Sequence, residues 1–136
     1  MAATFELTIL TPEREFYRAQ AEAVTVKVHD GFMTILANHA PMIASVDIEV
    51  LKIKDENGQW REAFSSEGFI EVRRDGVFLF TQTCEWPEEI DARRAEEALQ
   101  RAQEKLRQQR SMVEYQNSKM QIARAMERLK VSKIHK

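Results

Sequence analysis

The sequence predicts an α+β chain: an N-terminal antiparallel β-sandwich over residues 1–86 followed by a C-terminal two-helix antiparallel hairpin over 87–136. Three observations lead there. Apolar residues alternate with polar ones along the first part, which is the signature of half-buried strands. All four glycines (Gly31, Gly58, Gly68, Gly76) and all three prolines (Pro12, Pro41, Pro87) stand at or before position 87. Beyond that point the apolar spacing changes to three and four, the period of a helix with one buried face.

The strand series begins with Phe5, Leu7 and Ile9, which alternate with Thr4, Glu6 and Thr8; Val24, Val26 and Val28 then alternate with Thr25, Lys27 and His29. It continues through Phe32 to Leu36, Ile48 to Ile53, Trp60 to Phe64, Phe69 to Val72 and Val77 to Phe80. Breaks fall at Asp30-Gly31, Asn57-Gly58 and Asp75-Gly76, the residue pairs that favour tight hairpins. Short strands at this spacing predict a sandwich or barrel. The apolar phase flips between Val50 and Leu51, and since a strict period of two cannot hold both on the core side, a bulge is expected there.

After Pro87, Ala92, Ala95, Leu99, Ala102 and Leu106 form one narrow stripe rich in small residues, and Tyr115, Ser118, Ile122, Ala125 and Leu129 form a second. Two helices with such faces can approach closely, joined by a loop near Gln108 to Ser111. That loop contains no Gly or Pro, so the same residues can also continue as one helix, about 68 Å long for roughly 45 residues at 1.5 Å each. Bent and straight connections are both locally permitted.

With 43% apolar and 31% charged residues and a net charge of -2, the composition is that of a globular protein and carries no global charge pointing to nucleic acid. The start of the chain shows neither a signal peptide nor a transit sequence, and no apolar run approaches the roughly 20 residues of a membrane-spanning helix. A cytoplasmic location is expected, with any membrane association made through a partner. The lone Cys84 excludes an internal disulfide and reads as a buried thiol.

Asp91 is placed as a helix N-cap, with Ile90 before it and Ala95 after it as a modest hydrophobic staple. Capping does not account for Arg93 and Arg94, because cations in a first helical turn face the positive end of the helix dipole. A nearby anion reverses that penalty; Glu96 and Glu97 offer local compensation instead. Arg124 and Arg128 share a face at i, i+4, and Arg101 lies one heptad beyond Arg94. In an antiparallel hairpin these guanidiniums converge, and guanidinium groups bind phosphate oxygens in bidentate fashion. The alternative is a solvated basic face, since residues 111–136 hold six Lys or Arg against two Glu, a bias that also suits an acidic protein surface.

No Gly-rich phosphate loop, paired-His zinc motif or Gly-x-Ser-x-Gly elbow is present. His29 and His39 fall in or beside predicted turns. Glu88 and Glu89 suit helix entry better than acid and base chemistry. No catalytic residue and no metal ligand is predicted.

Asp30-Gly31 through Ile35-Leu36 to His39-Ala40-Pro41 resembles the turn signature of ATP synthase epsilon subunits. Leu10-Thr11-Pro12 before Phe16-Tyr17, and Ser66-Glu67-Gly68-Phe69 before a Val-rich strand, occur in that family's order, so the likeness covers essentially the whole chain. It departs from the pattern at Thr34, where Gly is common, and at Ala37-Asn38, where Pro-Gly is common; Asn tolerates left-handed backbone, so the turn can survive. The resemblance implies a ten-stranded sandwich with a helical hairpin, in a non-catalytic subunit of the bacterial F-type enzyme.

Ile90-Asp91-Ala92-Arg93-Arg94-Ala95 resembles the family's I-D-x-x-R-A motif for ATP, and Ala123-Arg124-Ala125 with Glu127-Arg128-Leu129 resembles its second-helix arginine pattern. The resemblance implies Glu85, Ile90, Asp91 and Ala95 around the adenosine end of ATP, and Arg94, Arg101, Arg124 and Arg128 around the phosphates. Arg94 has an alternative role in organising Asp91 and the loop. ATP is then a regulatory ligand that is not hydrolysed, with magnesium left open. The partners implied are the gamma subunit, the ring of c subunits and, when the helices extend, the catalytic beta subunits, at the cytoplasmic face of the plasma membrane. A coiled-coil adaptor that binds no nucleotide is the competing reading.

Overall fold

The computed structural model of the chain describes residues 2–108 and 111–133. It divides into two compact units, Met1–Glu85 and Trp86–Lys136.

The first unit holds nine strands: β1 (Phe5–Leu10), β2 (Glu15–Val28), β3 (Gly31–Leu36), β4 (Met42–Val46), β5 (Glu49–Asp55), β6 (Trp60–Ser65), β7 (Gly68–Arg73), β8 (Gly76–Thr81) and β9 (Cys84–Glu85). Every ladder is antiparallel except β1 with β8, which is parallel. β2 organises the sandwich. Its first half, through Ala21, pairs with β1, while its second half pairs with β3 on one side and β5 on the other. One layer therefore runs β4-β7-β8-β1-β2 and the other is built from β3, β2, β5, β6 and β9. The sequence resemblance implied ten strands; nine are found among the described residues, because β2 is a single strand serving both layers.

The expected bulge at Val50 and Leu51 is absent from the pairing with β6, which keeps register from Glu49 to Lys54. Both residues are nonetheless buried, at 6% and 1% exposure. They point to opposite faces, so both sides of the sheet are covered at that point. The irregularity in β5's other ladder lies on β2, where Ala21 and Ala23 flank an extra residue, Glu22, opposite Asp55 and Lys54. A bulge there bends β2 as it leaves one layer for the other.

The core is formed by Leu7, Ile9, Val24, Val26, Ile35, Ile53, Phe64, Ile70 and Leu79, all essentially inaccessible to solvent. Turn chemistry follows the sequence. Asp55 Oδ1 accepts from the backbone N–H groups of Asn57 and Gln59 at 2.9 and 3.0 Å, and Gly58 has φ of 78°. Asn38 adopts φ of 66°, so the left-handed turn persists without glycine. Gly68 has a different constraint: a Cβ there would overlap the carbonyl of Phe80 in the adjacent strand. Cys84 is buried, and its carbonyl accepts from Arg14 Nη2 at 3.2 Å.

In the second unit a single 3-10 turn at Pro87–Glu89 precedes α1 (Ala92–Gln108) and α2 (Met112–Ser132). Glu89 Oε1 accepts from the Trp86 backbone N–H at 2.9 Å, which gives this glutamate the helix-entry role. The predicted interhelical loop lies partly outside the described residues: Gln108 closes α1 and Ser111 caps α2, and 109–110 between them are not described.

Candidate anion-binding cleft in the helical hairpin

Asp91 caps α1 as the sequence predicts. Its Oδ1 accepts from the Arg94 N–H at 3.1 Å, and its carbonyl accepts from the Ala95 N–H at 3.0 Å. At the other helix, Ser111 Oγ accepts from the Glu114 N–H at 3.1 Å. These two caps fix where each helix begins, and hence which side chains share a face.

The helices approach through small residues. Ala95 and Ala102 on α1 are buried, as are Ser118, Ala125 and Ser132 on α2, each set spaced by one heptad. Small side chains at heptad spacing allow the two backbones to come close along a shallow crossing angle. On the outer surface of α1, Arg93 Nε pairs with Glu97 at 3.3 Å and Arg107 Nη1 with Glu104 at 3.4 Å. Arg93 is thus explained by an i, i+4 pair on an exposed face, worth about 0.3–0.5 kcal/mol.

The basic residues of the inner edge behave differently. A cleft of about 280 Å³ between the helices is lined by Arg101 and Lys105 from α1 and by Gln121, Arg124 and Arg128 from α2, with Ala98 and Ala125 as its apolar lining. Four cations and no carboxylate line it. Such a site favours a polyanion, because guanidinium and ammonium groups this close repel one another unless negative charge lies between them. Arg124 and Arg128 are already engaged by other groups of the chain, so an entering anion exchanges partners with them. Glu127, beside Arg128 in sequence, is largely buried and lies 3.5 Å from Lys130 Nζ.

The cleft therefore gathers Arg101, Arg124 and Arg128 from the predicted set. Ile90, Asp91, Arg94 and Ala95 lie before or in the first turn of α1 and are not part of its lining. Arg94 is exposed, and its backbone N–H serves the Asp91 cap. Glu85 belongs to the first unit, in β9 opposite Phe64. Sequence reasoning missed Lys105 and Gln121. The signal was present in the spacing, since Lys105 follows Arg101 by four residues and Gln121 precedes Arg124 by three.

Among the described residues, no group of three or more His, Cys, Asp or Glu is disposed to hold a metal ion, and no helix is long and apolar enough to cross a membrane.

Comparison with known proteins decides the family. Residues 4–87 match the beta-sandwich domain of the ATP synthase Delta/Epsilon chain, and residues 88–133 match that chain's long alpha-helix domain. The chain belongs to the ATP synthase delta/epsilon family. The epsilon chain of Ruminiclostridium cellulolyticum is 47% identical over 127 residues, covering 93% of this chain and 94% of that one. The epsilon chain of Caldanaerobacter subterraneus is 46% identical over 133 residues, covering 97% and 96%. The fold is shared with a chain in the cryo-EM structure of the Euglena gracilis mitochondrial ATP synthase, at a TM-score of 0.78 and 22% identity, covering 93% of this chain and 80% of that one. A chain in the cryo-EM structure of the Tetrahymena thermophila mitochondrial ATP synthase central stalk and c-ring gives a TM-score of 0.68 at 16% identity, covering 96% of this chain and 98% of that one. The family boundary at 87/88 falls close to the division between the two compact units.

Proposed function

We propose that this chain is a non-catalytic epsilon subunit of a proton-driven ATP synthase whose hairpin holds ATP as a regulatory ligand. The single observation that carries the nucleotide reading is the cleft in which Arg101, Arg124 and Arg128 meet from two helices. In this reading the three guanidiniums hold the phosphate chain, while Ile90, Asp91, Arg94 and Ala95 serve the part of the site nearer the start of α1. No general base is needed, because ATP is bound and not cleaved.

Since the phosphate-holding residues are divided between the helices, ATP favours the closed hairpin over any state in which they separate. A ligand shifts such a balance only by its differential affinity. At a concentration one hundred times its dissociation constant it contributes about 2.7 kcal/mol to the state it binds. Without ATP the helices open, extend along the gamma subunit and brake hydrolytic rotation, with the basic side chains engaging the catalytic beta subunits. The sandwich meanwhile attaches the subunit to gamma and to the c-ring, peripheral to the cytoplasmic face of the membrane. Exposed Met112, Val113, Met120 and Met126 on α2 supply apolar surface for such contacts.

Calorimetric titration of the full chain with ATP, alongside a phosphate-release control, tests the reading. One saturable site without phosphate release is expected, abolished by joint Arg124→Ala and Arg128→Ala replacement. Unchanged binding in that double variant overturns the assignment of the cleft, and a chain that takes up no ATP is better described as a docking adaptor.

A further inference from the structure

A second basic surface lies on the sandwich, on the outward side of β3, β2, β5 and β6. The ladders set its residues in rows. Phe32 stands opposite Lys27; Thr34, Thr25, Lys52 and Glu62 cross the four strands in register, and so do Leu36, Ala23, Lys54 and Trp60. Alternation turns these side chains one way, while Val24, Val26, Ile35 and Ile53 turn to the core. Three large apolar groups on this face are open to solvent: Phe32 and Leu36 at 58% and Trp60 at 52%. Each ring carries an ammonium over it, Lys27 Nζ at 5.1 Å from the centre of Phe32 and Lys54 Nζ at 5.9 Å from that of Trp60. Lys52 stands in the middle row, 4.0 Å from Glu62, the one carboxylate in these rows.

We propose that this face docks on an anionic lipid surface, with Phe32, Leu36 and Trp60 entering the headgroup layer and Lys27, Lys52 and Lys54 meeting lipid phosphates. Lysine stems are long enough to leave the ammonium among the headgroups while apolar side chains go deeper. Tryptophan is enriched at that boundary in membrane proteins. The kind of cation separates lipid from other polyanions. All three are lysine, whereas protein–protein contacts are enriched in arginine and depleted in lysine, and guanidinium forks are the usual readers of nucleic-acid phosphate. The two rings occupy opposite corners of the face, three strand spacings or about 14 Å apart across the sheet, too far to stack successive bases of one strand. With a net charge of -2 on the whole chain, the attraction is local to this face. It involves the sandwich alone and does not depend on nucleotide in the hairpin.

The test is co-sedimentation of the full chain with vesicles of phosphatidylglycerol mixed with phosphatidylcholine, and with vesicles of phosphatidylcholine alone. Binding to the anionic vesicles is expected, and added salt should weaken it. Joint Lys52→Gln and Lys54→Gln replacement should lower the affinity about 25-fold, roughly fivefold for each charge. Trp60→Ala should also lower it, with Trp60→Phe recovering part of the loss. Lys119→Gln is the control, because Lys119 is an exposed lysine 5.1 Å from the Tyr115 ring on α2 and off this face, and its replacement should change nothing. Circular dichroism melts check that each variant is folded. Equal binding to the two kinds of vesicle, binding to neither, or an equal loss in Lys119→Gln overturns the proposal. A chain that ignores both vesicles but retains a single-stranded oligonucleotide through Lys52 and Lys54 overturns it too, and makes the face a nucleic-acid surface.

Discussion

Ala102→Leu is the most direct probe of how the hairpin is held together. Ala102 is 1% exposed and faces α2, whose own buried positions include Ala125 at 2%. Leucine is nearly as good a helix former as alanine, so the substitution hardly alters α1 taken alone. What it changes is the separation of the helices: three further carbon atoms must enter a contact closed by a methyl group. Overpacking of this kind costs about 1–3 kcal/mol. If the hairpin opens as a unit, amide hydrogens in α1 and α2 should then exchange about fivefold to a hundredfold faster, since each 1.4 kcal/mol is a factor of ten. Amides in β1, β2 and β8 belong to the other compact unit and serve as internal reference. Ala123→Leu is the control, because Ala123 is exposed on the same hairpin and its replacement should stay within about 0.5 kcal/mol. Equal exchange rates in Ala102→Leu and Ala123→Leu would refute close approach through small residues.

Three further outcomes follow from particular contacts. Asp91→Ala removes the acceptor for the Arg94 N–H and should cost α1 about 1 kcal/mol in a circular dichroism melt, with Asp91→Ser recovering most of it. Gly68→Ala drives a Cβ into the Phe80 carbonyl, where no flexible side chain can give way, and should destabilise the sandwich by at least about 3 kcal/mol in urea unfolding. Burial pushes the Tyr17 phenol above its ordinary value of 10.0, opposed by the nearby charge of Arg61. Its folded form therefore favours the protonated phenol, so this stabilisation is complete below the unfolded-state value and is lost as pH rises through the folded one. Tyr17→Phe should flatten the fall of the melting temperature above about pH 10, and an unchanged slope would count against that assignment.

Much of the fold was legible because its strands alternate strongly. Val24 to Val28 and Val77 to Phe80 announce themselves through β-branched and aromatic residues, and the dipeptides between strands fix the hairpins. The first half of β2 gives no such signal. Its Arg18-Ala19-Gln20-Ala21-Glu22-Ala23 run has low strand propensity, and it is extended because β1 and β5 supply its hydrogen bonds. β4 was missed because Met42–Val46 is short and exposes Ile43, and β9 has only two residues. The phase flip at Val50 and Leu51 was real, but its cause is burial on both faces rather than an inserted residue. In the hairpin, i, i+4 spacing put Arg124 and Arg128 on one face and the antiparallel arrangement brought Arg101 to them, whereas the place of Arg94 outside the cleft depends on the relative rotation of two helices, which no single-helix pattern contains. Lys105 and Gln121 stand at helical spacing from Arg101 and Arg124, a signal that gains meaning only once the two helices are set side by side.

A strand shared by both layers has a mechanical consequence. Because β2 is stitched to β1 by its first half and to β3 and β5 by its second, neither sheet can be peeled off without loosening the edge of the other. A load applied to one layer is carried across the Glu22 kink by covalent backbone, not only by side chains meshed in the core. Pulled or twisted, such a sandwich should give way all at once rather than layer by layer.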